Sequence, residues 1–97
     1  MKGYQKLMSN VKHYCLIKFH KNTGKIDTTL ESLKCDLLKE WAMNSTPKTN
    51  DSIIFNKTTG ELVYWISGTS NGCKLHIFEC GTNIEYYCPG LLAAVNS

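Results

Sequence analysis

Gly68-Thr69-Ser70-Asn71-Gly72 has the G-x-S-x-G spacing of a hydrolase nucleophile elbow, where a strained strand-to-helix turn lifts a serine beside an oxyanion hole. Here the pentapeptide leads into another alternating run, Cys73 to Cys80, and Asn71-Gly72 is a strong hairpin dipeptide. The chain is also too short for the sheet that carries such an elbow. The motif therefore reads as a turn.

Cys73, His76, Cys80 and Cys88 are the donor types of a zinc site. On a strand, however, His76 and Cys80 stand about 13 Å apart, whereas zinc ligands all lie about 2.0–2.3 Å from one ion. No C-x-x-C pair anchors the set, so no metal site is expected. Cys15 with His13 offers a thiol and a base, but same-face neighbours on a strand are about 6–7 Å apart, and no orienting carboxylate is adjacent in sequence. Cys15 reads instead as a small apolar core residue. Asp36 and Glu40 lie one helical turn apart among Lys34 and Lys39, which is the mixed-sign pattern of a face turned to water. These readings give no catalytic residue, no cofactor and a non-enzymatic protein.

The elements that position these residues follow from periodicity. From Val11 to His20, Val11, His13, Cys15, Ile17 and Phe19 alternate with Lys12, Tyr14, Leu16, Lys18 and His20, which predicts a half-buried strand. Lys21-Asn22-Thr23-Gly24-Lys25 breaks it. Thr28-Thr29-Leu30-Glu31 has capping-box spacing, with Asp27 beside it, and predicts a helix start. Leu30, Leu33, Leu37, Leu38 and Trp41 then recur at helical spacing as far as Asn44. Strands are predicted at Ser52 to Asn56, Glu61 to Ser67 and Cys73 to Cys80, joined by glycine-bearing turns. Ile84 to Tyr87 is a candidate fifth strand. Leu91 to Val95 is either a helical turn or a further strand.

The expected fold is therefore α+β: a single antiparallel sheet of four to five strands in the order β-α-β-β-β, with one helix packed on one face. If Cys15, Ile17, Phe19, Leu62, Tyr64, Ile66, Leu75 and Ile77 meet the helix, alternation puts Lys12, Tyr14, Lys18, Val63, Trp65, Lys74, His76 and Phe78 on an open face. An exposed aromatic patch of that kind normally marks a contact site.

Length and composition bound the rest. Ninety-seven residues, 42% hydrophobic, make one small domain, expected over residues 11–97 behind a flexible extension over residues 1–10. The longest apolar run, Leu91 to Val95, is far short of the roughly 20 residues that span a bilayer. The charged opening lacks a signal-peptide core, so the expected compartment is the cytoplasm, and the five cysteines are expected as free thiols.

All eleven basic residues are lysines. Residues 1–39 carry a balance of +5 and residues 40–97 one of −2, so the basic character belongs to the first half. Without arginine's bidentate fork, base-specific DNA reading is disfavoured. The lysine-only, Asn-, Thr- and Ile-rich composition resembles that of AT-rich genomes such as many phages carry.

Two functions follow. The first is a phage-type binding protein that inhibits or modulates a host or competing protein, itself a possible homodimer, through Tyr14, Trp65, His76 and Phe78. The second is RNA or single-stranded nucleic-acid binding, with rings stacking bases while Lys12, Lys18, Lys21, Lys25 and Lys74 neutralise phosphates.

Overall fold

The structure, a computed structural model, describes residues 12–97. The expected extension over residues 1–10 lies outside the described residues. Five strands, β1 (Tyr14–His20), β2 (Ile26–Ser32), β3 (Asn50–Asn56), β4 (Leu62–Thr69) and β5 (Gly72–Ile77), form one antiparallel sheet in the order β2-β1-β3-β4-β5. The main helix, α1 (Cys35–Ser45), packs on one face. Two short helices, α2 (Ile84–Tyr87) and α3 (Leu91–Asn96), pack on the other. The fold is thus a small α+β sheet-and-helix domain. Among the described residues, no helix is long and apolar enough to cross a membrane.

Several local expectations are corrected. Thr28 and Thr29 do not cap a helix; they belong to β2, which pairs with β1 as a hairpin. Thr28 and Leu30 alternate with Thr29 and Glu31, and β-branched threonine suits a pleated surface. The helix begins later, behind Lys34, without a side-chain cap. Leu38 and Ala42, spaced i and i+4, become its buried positions, while Leu33 and Leu37 stay exposed. Ile84 to Tyr87 is a helical turn and not a strand, because the Asn83 side chain accepts from the Glu85 N–H at 2.9 Å and caps it. Leu91 to Asn96 takes the helical alternative.

The larger correction concerns β1. Leu16 faces α1, together with Ile54, Ile66, Leu38 and Ala42. Cys15 and Ile17 face the opposite way, into a second core with Ile53, Phe55, Leu62 and Ile84, and Phe19 packs against it. The expected assignment of β1 was therefore inverted. The cause is two-sided burial: Cys15, Leu16, Ile17, Ile53, Ile54 and Phe55 are all buried. A central strand covered on both faces no longer marks its inner side by alternation. Leu62 also changes side, because a bulge opposite Ile54 and Phe55 shifts the β3–β4 register there.

Two glycines fix the hairpins around β4. Gly60 takes φ +80° at the end of the β3–β4 turn, and a Cβ there would meet the Asn83 side chain at 2.8 Å. At Gly68, a Cβ would collide with the Pro47 carbonyl in the loop after α1. The glycine that suggested a nucleophile elbow is therefore needed for close backbone packing. Ser70 sits in the β4–β5 turn, where Thr69 Oγ1 accepts from the Asn71 N–H at 3.2 Å and donates to the Gly72 carbonyl at 2.6 Å.

Candidate functional site

The face opposite α1 is neither open nor fully closed. α2 and α3 cover its centre. Ile84 is completely buried, its N–H donates to the Gly60 carbonyl at 2.7 Å, and Asn83 Nδ2 donates to the Thr59 carbonyl at 2.9 Å. The Glu85 carboxylate accepts from the N–H groups of Gly90 (2.9 Å) and Leu92 (3.3 Å), holding α3 beside α2. This anchoring swings Tyr87 against β4 and β5.

There the rings converge. Trp65 meets Phe19 edge-on at 6.0 Å and Tyr87 at 5.7 Å, Phe78 meets Tyr87 at 5.6 Å and His76 at 4.6 Å, and Tyr86 stacks edgewise on Tyr87 at 5.0 Å. Trp65 is fixed by its indole N–H, which donates to Asp51 Oδ2 at 3.0 Å. The other Asp51 oxygen is buried without a hydrogen-bond partner and lies 3.8 Å from Lys21 Nζ, which itself donates to the Gly68 carbonyl at 2.6 Å. A cavity of about 400 Å³ opens among Trp65, Ser67, Lys74, His76, Phe78 and Tyr87. Tyr86 and Tyr87 are 82% and 46% exposed, so the cluster presents apolar ring surface to the outside.

The structure thus brings Trp65, His76 and Phe78 together. Tyr14 stands apart, on the α1 face. Sequence reading missed Tyr86, Tyr87 and Phe19. The double tyrosine is visible in the sequence, but only a helical Ile84–Tyr87 segment anchored on Ile84 delivers it to Trp65.

The five candidate lysines do not share a surface. Lys18 lies on the α1 face, nearly covered, paired with Asp27 at 3.3 Å, donating to the Ser45 carbonyl and stacked 5.2 Å from the Trp41 ring. Lys21 is held by Gly68 and Asp51. Lys12 lies by Asn56 and Glu61, Lys25 by His20 and Asp27, and only Lys74 borders the aromatic cavity.

The cysteine and histidine residues scatter in the same way. Cys73 donates to the Thr46 carbonyl at 3.3 Å under α1, while Cys80 donates to Glu61 Oε2 at 3.3 Å. No group of three or more potential metal ligands lies together among the described residues. Cys15 is opposite Glu31 in the β1–β2 ladder, and His13 Nε2 lies 3.8 Å from Glu31, so β2 supplies the carboxylate that sequence proximity did not. The thiol is nonetheless buried and pushed up to about 11, chiefly by burial and then by the Glu31 charge. At neutral pH it is protonated and a weak nucleophile. Cys35 and Cys88 are also raised by burial, and Cys80 is raised by its hydrogen bond to Glu61.

No protein-family model, curated protein or solved structure matches the chain.

Proposed function

We propose that this protein is a non-enzymatic binding module that holds a protein partner on the aromatic surface of β4, β5 and α2. The observation that carries the reading is the exposed ring cluster around the 400 Å³ cavity, with Trp65 locked from beneath by Asp51. Rigid aromatic side chains with few rotatable bonds are favoured as interface anchors, because little side-chain entropy is lost when they are covered. Lys74, His76 and Ser67 supply a polar rim of the kind that surrounds such anchors. The finer reading, a phage product that inhibits or modulates a host or competing protein inside the cell, extends from the lysine-only, AT-rich composition alone.

Affinity capture with the full-length chain tests this. A stoichiometric protein is expected to be retained by wild type and by Lys25→Glu, and lost with His76→Glu combined with Tyr87→Ser. Equal capture by all three proteins contradicts the placement of the site. Binding of mixed RNA oligonucleotides that weakens steeply with salt, and is lost in Lys25→Glu, favours the nucleic-acid reading instead.

A further inference from the structure

The aromatic surface ends at β5, and β5 is an edge strand with no paired strand beyond it among the described residues. Its backbone groups can be assigned a direction. The Phe78 N–H donates to the Val63 carbonyl at 3.0 Å, and β4 and β5 pair in unbroken antiparallel register. Alternation then turns Lys74 and His76 toward β4, and leaves the N–H and C=O groups of Cys73, Leu75 and Ile77 pointing outward. Ile77 is 67% exposed, so an apolar side chain flanks this free edge.

We infer that the free edge of β5 pairs antiparallel with β5 of a second copy of this chain, centred on Leu75, to make one continuous sheet. The inference rests on reading this flank as a docking surface and names one of its occupants. Three features accommodate a second copy. The outward groups are self-complementary about Leu75: Leu75 faces its own equivalent and Cys73 faces Ile77, so every outward donor meets an outward acceptor. The side chains also match. On the α1 side, Leu75 meets Leu75 and the exposed Ile77 is covered at the Cys73 end; on the other side, Phe78 lies across from Gly72, which has no side chain to obstruct the ring. Finally, charge permits it, because Lys74 is the only formally charged residue of β5 and stands directly opposite His76, with its own equivalent only diagonal to it, about 7–8 Å away.

The consequence bears on the binding surface. A two-fold axis perpendicular to the sheet keeps like faces together, so both Trp65–Phe78–Tyr87 clusters look the same way. The dimer is a bivalent aromatic platform, and a partner spanning both clusters gains by effective concentration without any new contact.

Sedimentation equilibrium of the full-length chain is the test. Wild type is expected at about twice the 11.0 kDa chain mass at tens of micromolar. Ile77→Pro removes an outward N–H and no β4 bond, and is expected to weaken dimerisation at least about tenfold. Thr29→Pro, an outward position on the opposite edge, is expected to leave the mass unchanged. If Ile77→Pro proves unfolded by circular dichroism, Ile77→Lys, which keeps the N–H, is expected to give the same monomer. Leu75→Cys under mild oxidation is expected to give a covalent dimer linked 75 to 75, since hydrogen-bonded antiparallel partners stand about 5.5 Å apart, within disulfide range. A wild-type monomer near about 100 µM overturns the inference, as does equal loss of dimer in Ile77→Pro and Thr29→Pro, or a cross-link through another position. Retained partner capture by a monomeric wild type would overturn the self-pairing alone and leave the aromatic docking surface standing.

Discussion

The two edges of this sheet treat an approaching strand in opposite ways. Along β2, Asp27 is paired with Lys18 at 3.3 Å and Glu31 with Lys57 at 2.9 Å, so the edge carries two acidic side chains. A bulge in the β1–β2 ladder twists that edge further. Charged side chains and bulges are among the devices by which edge strands avoid one another. β5 carries one fixed charge, Lys74, and no bulge, and its last residue, Ile77, is exposed near Tyr86 and Tyr87. The difference is what the proposed self-pairing uses: β2 carries two acids and a bulge, whereas β5 pairs regularly and carries one fixed charge.

The largest perturbation of this contrast is expected from Gly68→Ala. Its methyl group meets the Pro47 carbonyl, a backbone atom that cannot swing aside, so the β4–β5 hairpin must lift from the loop after α1. A loss of about 3 kcal/mol is expected in urea denaturation, with the β2 hairpin unchanged by NMR shifts.

Next comes Trp65→Ala, which removes the ring that Phe19, Phe78 and Tyr87 pack against and strands Asp51 without its indole donor. About 2–3 kcal/mol is expected by the same assay, below the cost of a fully buried tryptophan. If the loss is negligible, the cluster is not part of the folded core and its rigidity as an anchor is refuted.

A smaller effect belongs to the guarded edge. Lys57→Met breaks the pair with Glu31, both partly exposed, and is expected to cost under about 1 kcal/mol. The hydrogen bond from Lys57 holds the Glu31 carboxyl below its usual value, opposed by desolvation and aided by the Lys57 and His13 charges. A carboxylate depressed in the folded state stabilises the fold above its ordinary pKa, and that contribution fades as pH falls through the lowered value. Wild type should therefore lose stability on the acid side more steeply than Lys57→Met, as seen in urea midpoints between neutral and acidic pH.

The smallest is chemical. Cys80 is exposed but raised by its bond to Glu61, so Glu61→Gln is expected to speed its alkylation several-fold near neutral pH. Buried Cys15 should stay unmodified until the chain unfolds. Early labelling of Cys15 would mean that β1 opens locally.

Much of this arrangement was legible in sequence: the sheet, the helix over Leu38 and Trp41, the turns, and the meeting of Trp65, His76 and Phe78. What escaped did so for a common reason, that local pattern cannot report what lies above a strand. Cys15 and Leu16 are both apolar and both buried, so alternation could not say which faces α1. The run Ile53-Ile54-Phe55 was the available signal that the sheet is covered on both sides. Thr28-Thr29-Leu30-Glu31 satisfies a capping box locally, yet pairing with β1 through the Gly24 turn prevails. Tyr87 reaches Trp65 only because Asn83 caps a turn that Ile84 buries.

Amide hydrogen exchange on the two edges tests the central claim most directly. Just before β1, the His13 carbonyl accepts from the Lys57 N–H just after β3 at 2.8 Å, so alternation turns Tyr14, Leu16 and Lys18 toward β2 and leaves Thr29 and Glu31 pointing outward from β2. In concentrated wild-type protein, the amides of Cys73, Leu75 and Ile77 should be protected and those of Thr29 and Glu31 should exchange freely, with the β5 protection fading on dilution. Equal, fast exchange on both edges at every concentration would contradict the account.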